Sequence, residues 1–383
     1  MSTNEAFSDA PVPFSGEPMH EYFCRVGELG ASVTIAAAPT PQPWPVGPPM
    51  DLPERFTFRK RRRYVEDVLT ETDTAALLVL QRGELRYERY ELTGGPTVPW
   101  MSMSVAKSFI SALVGIAAAE GLIGSLSDPV SDYLPLDAAS AYHGVAVADV
   151  LSMSSGVRWS EDYADPESDI FLLAAVLHGQ GTFDGFVAGR KREFSPGTVC
   201  RYNTTDTQAL AWLLAETSGT SVSEYMATRL LHPMGQQDPA QWLVDDAGRE
   251  AVGYGLNMSA RDYARLGELY RNGGRWNGRQ LVPADHVAAS TTLGKPHTHP
   301  GQVRMCSEQW RYGYGFQWWL PEVDPGEFVA IGVYNQFIYV HPPSDTVIVK
   351  LSANRTYGTS PDEETNRDLE NVMLLRSIAR SIA

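Results

Sequence analysis

One lysine lies inside an apolar, alanine-rich segment and limits what the chain around it can form. Residues 101–116 read Met-Ser-Met-Ser-Val-Ala-Lys-Ser-Phe-Ile-Ser-Ala-Leu-Val-Gly-Ile. Phe109, Leu113 and Ile116 recur at helical spacing, which predicts a helix. Ser104 and Lys107 are three residues apart and therefore share one face of that helix. Because a solvated lysine has little reason to have such neighbours, the segment predicts a lysine held in an apolar wall beside a hydroxyl group.

This serine–lysine pair has the chemistry of an activated nucleophile. Ser104 falls in the predicted first turn, where free backbone N–H groups and the helix dipole favour negative charge. Desolvation favours the neutral form of Lys107, and a neutral amine can accept the hydroxyl proton. The alternative interpretation is a serine–lysine pair on a solvated helix face.

The composition describes an acidic globular chain. Its 383 residues are 43% apolar and 20% charged, which allows a sizeable core, and the net charge of −15 argues against a nucleic-acid-binding surface. Cys24, Cys200 and Cys306 are far apart and form no Cys-x-x-Cys motif. The eight histidines show no metal-ligand spacing. We therefore predict no metal, no cofactor and no nucleic-acid partner.

The sequence also bears on location and assembly. The first residues lack the basic and then apolar pattern of a signal peptide, and no apolar run reaches transmembrane length. We therefore predict a cytoplasmic protein with no membrane partner. The oligomeric state stays open, with a homodimer as one option.

The order of predicted elements indicates an α/β fold. Residues 1–60 are rich in proline and predict an irregular arm wrapped over the main body. Alternating and apolar runs predict strands at 74–80, 85–90, 310–319, 328–331, 336–341 and 346–351, and a final helix at 363–383. The fold class predicted is an antiparallel sheet flanked by helices, with an inserted all-α region. The α/β region would comprise residues 61–108 and 250–383, and the mainly helical region residues 109–249.

A second proton-handling group is predicted near residue 200. The loop 195–206 reads Ser-Pro-Gly-Thr-Val-Cys-Arg-Tyr-Asn-Thr-Thr-Asp and precedes a predicted helix at 207–217. Tyr202 in this loop can relay a proton between the serine hydroxyl, the lysine and a leaving group. The alternative is an ordinary half-buried tyrosine.

Taken together, these segments resemble the serine β-lactamase-like hydrolases, in the branch of class C β-lactamases and esterases. Within that branch they are most similar to the 6-aminohexanoate-dimer hydrolase group. The resemblance implies the fold of β-lactamases and penicillin-binding proteins. It covers roughly residues 50–383 and rests on segments 102–109, 151–159, 195–198 with Tyr202, 255–267 and 336–342.

The resemblance also implies a role for particular residues. Ser104 would be the acylated nucleophile, Lys107 its partner base and Tyr202 the proton relay. The oxyanion hole would use the backbone N–H groups of Ser104 and Val333. The substrate-binding residues would be Trp159, Tyr163, Asn257 and Gly332.

Two motifs depart from the family pattern. Tyr202-Asn203-Thr204 stands where the family has Tyr-x-Asn or Tyr-x-Ser. The stretch 328–336 carries neither the lysine nor the histidine of the usual third motif, so it lacks the cation that holds a β-lactam carboxylate. The chain is therefore predicted to be a serine hydrolase of small-molecule carboxylic esters and also of short linear amides. The alternative is a catalytically idle member of the fold that binds a ligand or partner.

Overall fold

A seven-stranded antiparallel sheet built from both ends of the chain forms the centre of the molecule. The computed structural model describes residues 18–163, 165–305, 308–360 and 362–382. The first 17 residues of the predicted arm and Cys306 therefore lie outside the described residues. The strands are, in spatial order, Gly313–Tyr314, Trp319–Leu320, Phe328–Gly332, Gln336–His341, Thr346–Ser352, Thr74–Gln81 and Glu84–Tyr90.

The strand Thr74–Gln81 shows how the sheet is buried on both faces. Its side chains alternate, so that Leu78 and Leu80 enter one hydrophobic cluster while Leu77 and Val79 enter another. It pairs with Glu84–Tyr90 on one side and with Thr346–Ser352 on the other. The strands predicted at 74–80 and 85–90 are confirmed and form a hairpin, and the three predicted strands between residues 328 and 351 are confirmed as well.

The strand predicted at 310–319 is wrong in extent. The chain instead forms two short strands, Gly313–Tyr314 and Trp319–Leu320, which pair with each other. Gln317 between them has a left-handed backbone with φ 61°. A Cβ on Gly315 would lie 2.0 Å from the carbonyl oxygen of Ser290. This close packing and the left-handed residue fold the segment back on itself.

Helices cover both faces of the large sheet. One face packs against Ala106–Ala119 and Ala260–Arg271, and the other against Val65–Glu71 and Asp368–Ser381. Ser259 caps the helix Ala260–Arg271, since its hydroxyl accepts a hydrogen bond from the Asp262 backbone N–H. The final helix is interrupted at Arg367, whose φ is 58°, so Glu363–Asn366 is a separate turn of helix.

The prediction of an irregular arm is wrong for several short segments. Ser32–Ile35 is the edge strand of a four-stranded sheet whose other strands are Ala240–Leu243, Leu256–Met258 and Trp100–Met101. This segment contains no proline, so its N–H groups can pair. Residues 39–45 lie on the main body, where the Trp44 indole donates a hydrogen bond of 2.9 Å to the Arg261 carbonyl. The arm also contains two short helices, His20–Phe23 and Val26–Leu29, and the strand Arg55–Phe58.

The remaining elements are short, apart from one long helix. That helix, Thr204–Ser218, begins earlier than predicted because the Asn203 side chain caps it by accepting from the Thr205 N–H. The other helices are Val147–Leu151, Asp169–Ala174, Phe183–Ala188, Val222–Met226 and Ala284–Thr291. The other strands are Arg61–Tyr64, Arg275–Trp276, Arg279–Gln280, Arg304–Met305 and Glu308–Gln309. Within the described ranges, no helix has the length and apolar character needed to cross a membrane.

Candidate active site

The predicted nucleophile lies in a tight turn between a strand and a long helix. The strand Trp100–Met101 ends, a single 3₁₀ turn spans Met103–Val105, and the helix Ala106–Ala119 follows. Met103 has a left-handed backbone with φ 46°, which is unusual for a residue with a side chain and is typical of functional turns. Ser104 thus lies in the 3₁₀ turn just before the α-helix, whereas the sequence predicted it in the first turn of the helix itself.

Lys107 contacts Ser104 directly. Its Nζ donates to the Ser104 Oγ at 2.8 Å and to the Gly253 carbonyl oxygen at 2.8 Å. The lysine is only 1% exposed. Burial lowers the pKa of Lys107 to about 8, against the opposing effect of the Glu161 carboxylate. Near physiological pH Lys107 is therefore neutral, and able to accept a proton, in a larger fraction of molecules than a solvated lysine would be.

Tyr202 lies on the other side of this pair. Its ring centroid is 5.1 Å from the Lys107 Nζ, and the ring stacks on Trp319 at 5.2 Å. Burial and the Glu161 carboxylate raise the pKa of Tyr202 well above its ordinary value, while a hydrogen bond with Ser104 opposes them. Tyr202 therefore keeps its proton and can donate it to a leaving group.

Gly332 lets a strand of the large sheet approach the turn that carries Ser104. A Cβ at this position would lie 2.6 Å from the Ser102 carbonyl oxygen and 3.0 Å from the Met103 Cβ. Val333 follows directly and lines the same cleft as Ser104. The next two residues, Tyr334 and Asn335, have left-handed backbones and turn the chain into Gln336–His341. This proximity is what the predicted oxyanion hole requires.

The cleft is small and mainly aromatic or apolar. It is lined by Ser104, Tyr163, Tyr202, Met305, Trp310, Trp319, Ile331, Val333, Tyr357 and Asp368. Tyr163, which the resemblance implied as a substrate-binding residue, is among these lining residues. Met305, Trp310, Tyr357 and Asp368 are cleft residues that sequence reasoning missed.

Three predicted substrate-binding residues, Trp159, Asn257 and Gly332, are buried and are not among the residues that line this cleft. The Trp159 indole donates a hydrogen bond of 2.7 Å to the Glu161 carboxylate, so this tryptophan holds Glu161 and does not face the cleft. Asn257 is on the strand paired with Met101, and its amide donates to the Gly255 carbonyl at 3.1 Å. Its Oδ1 is buried and has no hydrogen-bond partner among the described residues.

Asp368 is a carboxyl group in the wall of the cleft. It accepts hydrogen bonds from the Tyr357 hydroxyl at 2.7 Å and from the Asn335 side chain at 3.1 Å. Burial raises the pKa of Asp368 to about 8. At neutral pH the group is therefore mostly uncharged, in keeping with the apolar lining around it.

Glu161 is the second carboxyl group that the sequence did not single out. It accepts hydrogen bonds from Trp159, from the Tyr163 hydroxyl at 2.9 Å and from the Thr204 hydroxyl at 2.7 Å. Thr204, which departs from the family pattern, therefore has a defined role in holding Glu161. The signal in the sequence was only an acidic residue within an aromatic loop.

The chain is similar to known proteins over most of its length. The β-lactamase family model matches residues 62–372. A 6-aminohexanoate-dimer hydrolase from Paenarthrobacter ureafaciens is 30% identical over 362 residues, covering 92% of this chain and 89% of the relative.

Solved structures share the fold. A Bacillus anthracis protein with the provisional name 6-aminohexanoate-dimer hydrolase superposes with a TM-score of 0.85 at 22% identity, covering 100% of this chain and 98% of its own. A family VIII carboxylesterase gives a TM-score of 0.61 at 16% identity, with 82% and 96% covered. The predicted β-lactamase and penicillin-binding-protein fold, with antiparallel sheet and helices, is confirmed. The chain belongs to the β-lactamase family and is a serine hydrolase.

Proposed function

We propose that this protein hydrolyses carboxylic esters and short linear amides through an acyl-enzyme on Ser104. The observation that carries the proposal is the 2.8 Å contact between the Ser104 Oγ and the Nζ of a fully buried lysine. That contact pairs a nucleophile with a base of suitable pKa inside a cleft.

The residues of the cleft have separate tasks in this reaction. Neutral Lys107 takes the hydroxyl proton as the Ser104 Oγ attacks the substrate carbonyl carbon. The backbone N–H groups of Ser104 and Val333 would stabilise the resulting oxyanion. Tyr202 donates its proton to the leaving alcohol or amine and regains one from the Lys107 ammonium. A water molecule then attacks the acyl-enzyme by the reverse proton path, which releases the acid and restores Ser104.

The lining of the cleft supports an uncharged acyl group. Its walls are mostly aromatic and apolar, and the stretch 328–336 contains no lysine, arginine or histidine. A β-lactam carboxylate would therefore find no cation on this strand. Support for linear amides comes from the relative in Paenarthrobacter ureafaciens, which by its name is a 6-aminohexanoate-dimer hydrolase.

Burst kinetics with a nitrophenyl ester test this proposal. We expect rapid release of one nitrophenolate per protein molecule, followed by slower turnover, because the acyl-enzyme accumulates. A screen of short-chain esters, linear amides and a chromogenic cephalosporin then ranks the substrate classes, with the cephalosporin expected to be poorest. A folded protein that shows neither burst nor turnover would favour the ligand-binding alternative.

The rate should depend on pH through Lys107. The base is active when neutral, so kcat/KM is expected to rise with pH and reach half its maximum near the pKa of Lys107, about 8. Tyr202 retains its proton throughout this range and should not produce a second step. The measurement is kcat/KM for a neutral ester between about pH 6 and pH 9. A flat profile would contradict the role given to Lys107.

A further inference from the structure

Glu161 is a buried carboxylate beside the catalytic groups and takes no part in the steps above. It is 1% exposed and lies between Trp159 and Tyr163 in a loop that contacts the start of the helix Thr204–Ser218. Its oxygens accept from both the hydroxyl and the backbone N–H of Thr204, the latter at 3.2 Å. A buried carboxylate is retained at a large desolvation cost, so its position calls for a physical reason.

A continuous set of contacts leads from Glu161 to the catalytic lysine. Thr204 packs against Gly253 so closely that a Cβ on that glycine would lie 2.4 Å from the Thr204 methyl group. The Gly253 carbonyl in turn accepts the second hydrogen bond from the Lys107 Nζ. Thr204 is therefore held by Glu161 on one side and supports the backbone that orients Lys107 on the other.

Glu161 also acts on Lys107 through its charge. The groups around the Lys107 amine are the Ser104 hydroxyl, the neutral Tyr202 ring, the Gly253 carbonyl and, through its field, Glu161. Glu161 is the carboxylate whose charge raises the pKa of Lys107 against the effect of burial.

We propose that Glu161 is a positioning residue for the hydrolysis: it anchors the loop with Tyr163 onto Thr204, and it stabilises the ammonium that Lys107 becomes on taking the serine proton. This inference rests on the proposed function. It also explains the departure in the second motif, because a threonine hydroxyl at position 204 reaches Glu161 while its methyl group fills the space against Gly253.

The Glu161→Gln variant separates this role from simple packing. The amide keeps the shape but removes the charge, so the acid limb of the kcat/KM profile should move to lower pH. At the alkaline plateau, Lys107 of the variant is a weaker base than Lys107 of the wild type. The kcat of the variant should therefore be roughly tenfold lower, with little change in KM. The control is Glu193→Gln, which makes the same change of net charge at a carboxylate paired with Arg201. Its profile of kcat/KM against pH should coincide with that of the wild type.

A second variant tests the anchor without altering any charge. Thr204→Val keeps the methyl group against Gly253 but removes the hydroxyl that donates to Glu161. We expect a lower kcat with the acid limb unmoved. This variant also keeps the anchor testable should Glu161→Gln fail to fold.

The outcomes separate the two proposals. The inference about Glu161 is overturned if the wild type gives a burst while folded Glu161→Gln has the same kcat and the same profile of kcat/KM against pH as the wild type. Wild-type kcat in Thr204→Val overturns the anchor. If the wild type itself gives no burst, the proposed function fails, and the pH experiment has no activity to follow.

Discussion

Replacing Ser104 with alanine is expected to abolish covalent labelling by a fluorophosphonate probe and to lower kcat for ester hydrolysis by about 10⁴-fold or more. The large effect follows because the acyl-enzyme cannot form without the Oγ, and no neighbouring group can replace it at the same position. Stability should change by only about 1–2 kcal/mol, since the change removes one small hydroxyl whose hydrogen bonds are with Lys107 and Tyr202. Intact-protein mass spectrometry measures the labelling, and thermal unfolding checks the fold.

Ser108 provides a matched control for this experiment. It is a buried serine one turn further along the same helix, where its hydroxyl donates to the Gln317 carbonyl at 2.7 Å. Ser108→Ala should therefore retain both labelling and turnover, apart from a small loss of stability. Equal labelling of the wild type and Ser104→Ala would place the nucleophile elsewhere and would contradict the proposed mechanism.

Local spacing made Ser104 and Lys107 predictable, because three residues of helix bring their side chains together without any tertiary contact. The strands at 74–90 and 328–351 were predictable for a similar reason. Their apolar runs are bounded by turn residues, and the sheet buries both faces of Thr74–Gln81. The loop around Tyr202 indicated a proton relay, but the pairing of Tyr202 with Ser104 and the place of Val333 required the resemblance to a family, since nothing local brings them to Ser104.

Glu161 and Asp368 show what sequence reasoning could not supply. Glu161 and its partner Thr204 are 43 positions apart in the sequence, and Asp368 and its partner Asn335 are 33 positions apart. In each case the partner is set by tertiary packing, so the acidic residue looks like any surface carboxylate when the sequence is considered alone. The same holds for Ser32–Ile35, which becomes a strand because Ala240–Leu243 offers it an edge.

The largest stability effect is expected at Arg376, in the final helix Asp368–Ser381. Its guanidinium donates two hydrogen bonds of 2.8 Å to Glu327, and the two side chains are 1% and 0% exposed. Arg376→Met fills similar space but leaves a buried carboxylate without its cation. We expect the free energy of unfolding to fall by about 3–5 kcal/mol, as measured by chemical denaturation.

Two further variants show whether the uncompensated charge is the cause. Arg380→Met removes an arginine from the same helix whose side chain is 53% exposed and pairs with Asp324, so its loss should stay within about 1 kcal/mol. Glu327→Gln combined with Arg376→Met removes the stranded charge yet keeps an oxygen for the Tyr339 hydroxyl, which donates to Glu327 at 2.6 Å. The double variant should therefore be more stable than Arg376→Met alone. If Arg376→Met lowered the free energy of unfolding no more than Arg380→Met does, the buried ion pair would contribute little to stability. The final helix would then be held against the sheet by its apolar side chains.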